Sequence, residues 1–308
     1  MTVNELLQRF PDEDACKAHL KALRWPDGKV HCPRCNLSLK VYQRKNQAYR
    51  WLCKHCDKNG YGFSLTTGTI FEDTKIPLRA WFQVLFLMLN AKKGMSALQI
   101  QRTVFGQKFD LDGKVVGKGS YETTWYMCHR LRAAMRDENF RRLTGVVEVD
   151  ETFIGGLERN KHKSKRNPAN RGATGKVAVI GAIARKGNVV CKVIEKTNAS
   201  TLQGFVNEMV SEDVSLVATD DASGYSHMDR PHDTVKHTEG EYVKESVLGT
   251  VHTQNLDSFW SLLKRGVVGT FHKVSKDYLP LYLNEFSFRH NQRGELNVST
   301  FDRVLGAC

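Results

Sequence analysis

The sequence lacks the features that would place it across a membrane. Its longest apolar-rich stretch, Ala80 to Ala91, is too short to span a bilayer and contains Gln83 and Asn90. The first ten residues show no basic segment followed by an apolar one, so we expect no secretory signal peptide. With 41% hydrophobic and 26% charged residues, the composition also excludes a wholly disordered or collagen-like chain. What remains is a folded chain of 308 residues, long enough for two or three domains.

Acidic residues are scarce relative to basic ones. There are 33 Asp and Glu against 46 Lys and Arg, which gives a formal net charge of +13. This excess indicates a polyanionic partner, most often a nucleic acid, although an unrelated basic enzyme is the alternative. The excess is uneven, because residues 201–250 contain three basic and ten acidic side chains. Clustered carboxylates in a protein that binds an anion usually face a metal ion, and the alternative is a solvated acidic surface.

Four of the eight cysteines form two CxxC pairs, Cys32 with Cys35 and Cys53 with Cys56, separated by 17 residues. Each pair fits a turn that directs two thiolates at one ion, and two such turns supply the four ligands of a structural zinc. The spacer is long enough for a short hairpin. These features predict a zinc ribbon. Such ribbons commonly contact nucleic acid, and a module that only binds other proteins is the alternative. Disulfides or a redox pair are the alternatives, and no secretory signal favours disulfides.

The segment after the ribbon predicts helices with basic surfaces. Leu78 to Ala91 is apolar nearly all round and should form a buried helix. Ser96 is a candidate N-cap for a short helix, Ala97 to Thr103, and a second helix is predicted from Tyr121 to Arg136. These two helices resemble a helix-turn-helix, but the Gly- and Lys-rich join, Phe105 to Ser120, predicts a long inserted loop. A plain helical linker domain is the alternative.

The second half of the chain predicts an α/β domain with the element order β-β-β-α-β. The predicted strands are Gly145 to Ile154, Lys176 to Ala184, Val189 to Ile194 and Leu216 to Ala218. Ser200 is expected to cap the helix before the last strand. Asp150 lies inside the first strand, where an uncompensated carboxylate is costly, and Asp220 directly follows the fourth. This is the layout of a ribonuclease-H-like domain, in which carboxylates on neighbouring strands hold two divalent ions for phosphoryl transfer.

A third acidic ligand is expected on a later helix, His252 to Gly266, whose apolar periodicity ends at a glycine. Asp257 and Lys264 are seven residues apart, which is two turns along one helix face. The carboxylate can therefore bind metal while the lysine contacts a phosphate one step along the strand.

The order of these motifs resembles that of the ISXO-type insertion-sequence transposases, a branch of the DDE class. The resemblance extends over nearly the whole chain. It is carried by Leu23 to Gly28, the zinc ribbon, Thr66 to Thr69, Val149 to Gly156, Lys161 to Arg166, the helix ending at Gly266, and Tyr282 to Arg293.

The resemblance implies three domains: a zinc ribbon at 1–70, a helix-turn-helix-like DNA-binding region at 71–143, and a ribonuclease-H-like catalytic domain at 144–308. It implies recognition of terminal inverted repeats, metal-dependent strand cleavage, and strand transfer into target DNA. The expected cofactors are a structural Zn²⁺ and catalytic Mg²⁺ or Mn²⁺. The expected partners are double-stranded DNA and further copies of the chain, without a membrane. We expect a cytoplasmic protein, associated with the nucleoid if the source is bacterial.

The implied catalytic residues are Asp150, Asp220, Asp257 and Lys264. The family generally has Glu at the position of Asp257, and Asp is one methylene shorter. The family also has a nearby Asn where this chain has Gln254, so the adjacent Asn255 is kept as the alternative if the third ligand is an amide. The expected DNA-binding residues are Lys161, Lys163, Lys165, Arg166 and Arg265. Two other functions remain open. One is an inactive DNA-binding protein derived from such an enzyme, and the other is a structure-specific nuclease that never joins strands.

Overall fold

A computed structural model of the chain describes residues 1–109, 115–137, 140–156, 162–166, 175–220, 223–226, 228–236 and 239–307. The chain forms two compact units. The ribbon unit comprises Met1–Met135 together with Gly294–Cys308, and the sheet unit comprises Arg136–Arg293. In the described residues, every helix is too short or too polar to cross a membrane.

Helices and strands follow one another along the described chain. The α-helices are α1 (Val3–Arg9), α2 (Glu13–Arg24), α3 (Leu78–Asn90), α4 (Ala97–Ile100), α5 (Tyr121–Ala134), α6 (Ala199–Met209), α7 (Gln254–Gly266), α8 (Leu279–Asn291) and α9 (Asn297–Gly306). The strands are β1 (Val41–Gln43), β2 (Arg50–Cys53), β3 (Tyr61–Ser64), β4 (Gln107–Phe109), β5 (Val115–Lys118), β6 (Val146–Ile154), β7 (Val177–Ala184), β8 (Val189–Ile194), β9 (Leu216–Asp220), β10 (His232–Val235), β11 (Lys244–Ser246) and β12 (Gly249–Val251).

The ribbon itself is a small antiparallel sheet in the order β1-β2-β3. Its interior is mainly aromatic. The Trp51 ring stacks on Phe63 with a centroid separation of 5.8 Å and meets Trp25 edge-on at 5.2 Å. Because so small a sheet buries few side chains, ligand bonds to a metal are expected to contribute much of its stability.

The predicted helices of the ribbon unit are present. Helix α3 buries residues on most of its circumference and contacts α2, α5 and α9. The prediction of an inserted loop between Phe105 and Ser120 is wrong. Strands β4 and β5 form an antiparallel pair there, in which Gln107 is opposite Lys118. Residues 110–114 lie outside the described residues. The division into three domains stays a prediction. Helix α9, at the end of the chain, contacts the helices α2, α3 and α5 of the ribbon unit.

The sheet unit is built on a five-stranded mixed sheet in the order β10-β9-β6-β7-β8. Strand β6 lies at the centre, parallel to β9 and antiparallel to β7. Helix α6 connects β8 to β9 in the chain, so the predicted α/β class and element order are confirmed. The central strands are rich in Val, Ile and Ala, as expected for strands that are covered on both faces.

Helices cover both faces of this sheet. Val147 and Val149 of β6 pack in one buried cluster with side chains of α6. Ile154 packs in a second cluster with side chains of α7 and α8. Since side chains alternate along a strand, odd positions of β6 face α6 and even positions face α7. Asp150 therefore faces α7.

One predicted helix boundary needs correction, and a second was predicted for the wrong reason. Helix α6 is capped by Asn198, not Ser200, and Asn198 Oδ1 accepts a hydrogen bond from the Thr201 N–H at 3.1 Å. Asn198 has the extended backbone that an N-cap requires. Helix α7 ends at Gly266, as predicted, but Gly266 has a helical φ of −65° and the chain continues as a π-helical turn, Val267–Phe271. The positive φ that ends this turn belongs to His272.

Candidate functional site

The two CxxC pairs converge in the ribbon unit. The Sγ atoms of Cys32 and Cys56 are 3.6 Å apart, and those of Cys35 and Cys53 are 3.8 Å apart. Sulfurs about 2.3 Å from one tetrahedral zinc would be separated by about 3.8 Å, so the cluster has the spacing that zinc requires. The four cysteines are free thiols, so neither pair forms the disulfide left open by the sequence.

Backbone donors favour a thiolate at Cys53, whereas burial raises the pKa values of Cys32 and Cys56. Burial by itself would raise the pKa of Cys53. The N–H groups of Cys56 and His55, together with hydrogen bonds from the thiols of Cys32 and Cys56, outweigh burial and lower this pKa to about 7. Zinc binds cysteine as the thiolate, so the surroundings of Cys53 fit a zinc ligand.

In the sheet unit, Asp150, Glu151 and Asp220 form an acidic cluster. Their carboxylate oxygens all lie within 4.8 Å of one another. The parallel register explains this convergence, because Glu148 of β6 is paired with Ala218 of β9. Asp150 and Asp220 are each two residues further along and therefore reach the same level of the sheet.

Helix α7 brings two further predicted residues, Asp257 and Lys264, to this cluster. An open cleft of about 510 Å³ is lined by Asp150, Glu151, Thr152, Asp257, Trp260, Ser261, Lys264 and Arg265. The spacing of Asp257, Ser261 and Lys264 is that of one helix face, as predicted. The cleft is therefore acidic at one end of the helix face and basic at the other.

The acids of the cleft repel one another. Burial, followed by the charges of Asp220, Glu151 and Asp257, raises the pKa of Asp150 from 3.8 to about 7. Burial also raises the pKa of Glu151, although a hydrogen bond from Tyr225 opposes this shift. Binding of a proton or a cation reduces this repulsion between the carboxylates.

Trp260 holds the side chain of Asp150 from α7. Its Nε1 donates to Asp150 Oδ2 at 3.0 Å, and the Trp260 side chain is buried. Gly181 of β7 is paired with Asp150 and makes room for the ring, because a Cβ at Gly181 would lie 2.7 Å from two ring carbons of Trp260. The indole is thus part of the core and also a donor to the first carboxylate.

The other predicted residues have different surroundings. Asn255 does not line the cleft, and its Nδ2 donates to Glu148 Oε1 at 2.7 Å. Arg265 is exposed at the cleft, and Lys163 and Arg166 are exposed in the loop after β6. Lys161 and the side chain of Lys165 lie outside the described residues.

Three residues of the site were missed from the sequence. Glu151 follows Asp150, and its Oε2 accepts a hydrogen bond from the buried Tyr225 hydroxyl. Glu148 is fully buried beneath the start of α7. The available signal for Glu148 was an acidic residue in a Val-rich strand, two positions before Asp150 and so on the same face. No local signal pointed to Tyr225.

Comparison with known proteins agrees with this geometry. The family described as ISXO2-like transposase domain matches residues 142–291, and the transposase zinc-ribbon domain matches residues 11–59. The chain is 28% identical over 298 residues, 92% of each chain, to an uncharacterized protein in transposable element ISH50 of Halobacterium salinarum.

Among solved structures, the chain has a weak likeness to the cryo-electron microscopy structure of the simian T-cell lymphotropic virus intasome in complex with PP2A regulatory subunit B56 gamma. The alignment covers 52% of this chain and 56% of that chain, at 12% identity and a TM-score of 0.27. The family matches include both the acid-bearing sheet unit and the cysteine cluster. The chain therefore contains two transposase domains: residues 11–59 belong to the transposase zinc-ribbon family, and residues 142–291 belong to the ISXO2-like transposase domain family.

Proposed function

We propose that this chain is the DNA transposase of an insertion sequence. It binds the terminal inverted repeats of its element, cleaves DNA strands with divalent metal ions, and joins the cleaved ends to target DNA. The observation that carries the proposal is that Asp150 clusters with Asp220 and also lines one cleft with Asp257 and Lys264. The sheet unit is then a ribonuclease-H-like domain, which its strand order supports.

The three aspartates, together with Glu151, would hold Mg²⁺ or Mn²⁺. Both ions prefer carboxylate oxygens, and a bound cation would offset the burial and the neighbouring acids that raise the pKa of Asp150. Divalent ions in such a site activate a nucleophile and stabilise the leaving oxygen of an in-line phosphodiester displacement. The protein's contribution is to hold the carboxylates, through Trp260 for Asp150 and Tyr225 for Glu151.

The basic end of the cleft would hold the DNA backbone. Lys264 and Arg265 are exposed at the same cleft, and they would offset the repulsion between the carboxylates and a phosphate. Lys163 and Arg166 would extend this basic surface along the DNA. Because phosphate contacts are independent of sequence, these residues would position DNA rather than select the element ends.

Selection of the ends is assigned to the ribbon unit. In the ribbon, Arg34 lies over the Tyr61 ring at 4.7 Å and Lys54 over the Tyr42 ring at 5.9 Å. Interleaved cations and aromatic rings on a small metal-held module are typical of nucleic-acid contacts. Joining two element ends requires two copies of the chain, so we propose a homo-oligomer on DNA.

A cleavage assay tests the proposal. Wild-type protein is incubated with Mg²⁺ or Mn²⁺ and DNA that carries the inverted repeats, and is compared with Asp150→Asn, Asp220→Asn and Asp257→Asn. We expect cut and joined products from the wild type, and cleavage reduced on the order of 10³-fold in each variant while binding persists. Glu208→Gln is the matched control, because Glu208 is an exposed acid of the sheet unit paired with Lys192.

The same assay separates the other functions. Binding of the ends without metal-dependent cleavage by the wild type would identify an inactive DNA-binding protein. Nicked products without joined products would identify a nuclease that does not transfer strands.

A further inference from the structure

Helix α7, which carries Asp257, is not capped by its own N-cap residue. The N-cap is Thr253, whose side chain makes no capping hydrogen bond. Its hydroxyl donates instead to Asp257 Oδ2 at 3.2 Å. The first N–H groups of a helix have no acceptor within the helix, so the acceptor for α7 must come from elsewhere in the fold.

The acceptor is Glu148, on the neighbouring strand β6. Its side chain is fully buried, and Oε2 accepts from the N–H groups of Asn255 at 2.9 Å and Leu256 at 3.2 Å. Oε1 accepts from Asn255 Nδ2 at 2.7 Å. A carboxylate at the positive end of a helix makes charge-assisted hydrogen bonds, which are the stronger kind.

Arg185, the residue directly after β7, also binds Glu148 and so strengthens the attachment of α7 to β6. Its Nε donates to Glu148 Oε1 at 3.0 Å, so the buried charge is paired. The same guanidinium donates to the carbonyl oxygens of Thr250 at 2.7 Å and His252 at 3.3 Å. The His252 Nδ1 also lies 3.2 Å from Glu148 Oε1. Arg185 therefore holds the chain just before α7, and Glu148 holds the first turn of α7 itself.

This attachment couples two of the cleft carboxylates. Glu148 and Asp150 are two residues apart on β6 and face the same side of the sheet. The strand that holds the first turn of α7 is thus the strand that carries the first carboxylate. Asp257 follows directly after the two anchored N–H groups, so a shift of the first turn displaces its carboxylate relative to Asp150.

We propose that the Glu148–Arg185 pair is a positioning device for the third carboxylate. By holding the first turn of α7 on β6, it sets the position of Asp257 relative to Asp150 and so the affinity of the cleft for a divalent ion. Glu148 does not line the cleft and acts through Asp257, so it is a positioning residue. This inference rests on the proposed function and adds the structural element that assembles its metal site.

The test compares Glu148→Gln with a matched control, Glu285→Gln, in the full-length protein. Glu285 of α8 is also fully buried and bonds Arg289 at 2.9 Å, so both variants lose the charge of a buried ion pair. Two quantities are measured: amide hydrogen exchange across residues 254–257, and Mn²⁺ affinity by electron paramagnetic resonance. We expect Glu148→Gln to speed exchange in this turn and to weaken Mn²⁺ binding about tenfold, with little change in the control. Glu148→Asp, which keeps the charge, should lie between Glu148→Gln and the wild type.

Equal Mn²⁺ affinity and equal exchange in Glu148→Gln and Glu285→Gln would overturn the inference. If Glu148→Gln does not fold, Arg185→Lys is used with the same expectations, because it keeps a positive charge but loses the forked contacts to Thr250 and His252. A wild type that binds Mn²⁺ and cleaves DNA while both variants match it overturns only the positioning role. A wild type that binds no Mn²⁺ overturns the proposed function itself.

Discussion

The cysteine cluster of the ribbon unit and the acidic cleft of the sheet unit are both sets of metal-type ligands, but the chain assembles them differently. The cysteines occur in two short turns within residues 32–56. The acids of the cleft and of the adjoining cluster come from three elements, β6, β9 and α7, that are far apart in sequence. The first set depends on local turn geometry, and the second depends on the register of a sheet and the placement of a helix.

The two regions should also differ in what the metal does for folding. The ribbon has a small aromatic core, so its fold depends on its ligands. The cleft rests on a sheet with buried clusters on both faces, so the sheet unit is expected to fold without a cation. It then holds repelling carboxylates in place, as the pKa of Asp150 shows.

The largest expected effect is the loss of zinc. Cys35→Ser should leave the protein without its one zinc per chain and unfold the ribbon, because structural zinc contributes about 10 kcal/mol or more to small zinc modules. The sheet unit should keep its protected amides. Zinc content by mass spectrometry and hydrogen exchange of β2 and β7 measure both outcomes.

Cys16→Ala is the control for this prediction, since Cys16 is a buried free thiol outside the cluster. It should retain zinc. A ribbon that stays folded in Cys35→Ser without metal would remove the proposed difference between the two regions.

The second effect concerns the third carboxylate. Asp257→Asn should lower metal-dependent cleavage on the order of 10²- to 10³-fold, because it removes a negative oxygen from the cleft. Asn255→Ala should lower the cleavage rate only about tenfold, because the Asn255 amide donates to Glu148 and does not line the cleft. Single-turnover cleavage at saturating Mg²⁺ measures both variants, and the reverse order would make Asn255 the third residue.

The third effect is a dependence of stability on pH. Between pH 4 and pH 7 folded Asp150 keeps a proton that the unfolded chain has released, because its pKa is raised to about 7. The free energy of unfolding attributable to Asp150 therefore falls as the pH rises through this window, by about 4 kcal/mol at most.

Asp150→Asn lacks this contribution and should be more stable than the wild type at pH 7 in magnesium-free buffer. The difference should shrink as the pH falls toward 5.5. Urea-dependent hydrogen exchange of β6 and β7 reports the sheet unit by itself. Saturating Mg²⁺ should reverse the order at pH 7, because a bound cation stabilises the charged wild-type cluster. A pH-independent difference would contradict the expectation.

The smallest effect is expected for Trp260→Phe, which removes the hydrogen bond to Asp150 at a cost of about 1 kcal/mol. Cleavage should fall severalfold, and the pKa that controls its rate should rise. Trp81→Phe is the matched control, because Trp81 Nε1 also makes a 3.0 Å bond, to Thr74 Oγ1 in the ribbon unit. A similar shift of the pH–rate profile in both variants would mean that the contact with Asp150 is not responsible.

The sequence predicted those parts of the fold that depend on local pattern. The Val-rich strand around Asp150 and the apolar helix at Leu78 were expected from periodicity and are present. Helix ends were less predictable, because Asn198 and Ser200 are both good capping residues and only the backbone selects Asn198. The α-helix α7 does end at Gly266, but without the positive φ of a glycine cap, because the chain continues there as a π-helical turn.

By itself, the sequence determined the resemblance to transposases, the pairing of four cysteines and the order of the strands along the chain. Each of these depends on spacings of a few residues, which turn and strand geometry convert directly into positions in space. Only the tertiary structure decided that Asp150 and Asp220 lie at one level, that Glu151 joins them, and that Glu148 holds a helix that starts more than one hundred residues later. Parallel register and the attachment of a helix depend on the summed packing of distant segments, and no short stretch of sequence contains that information.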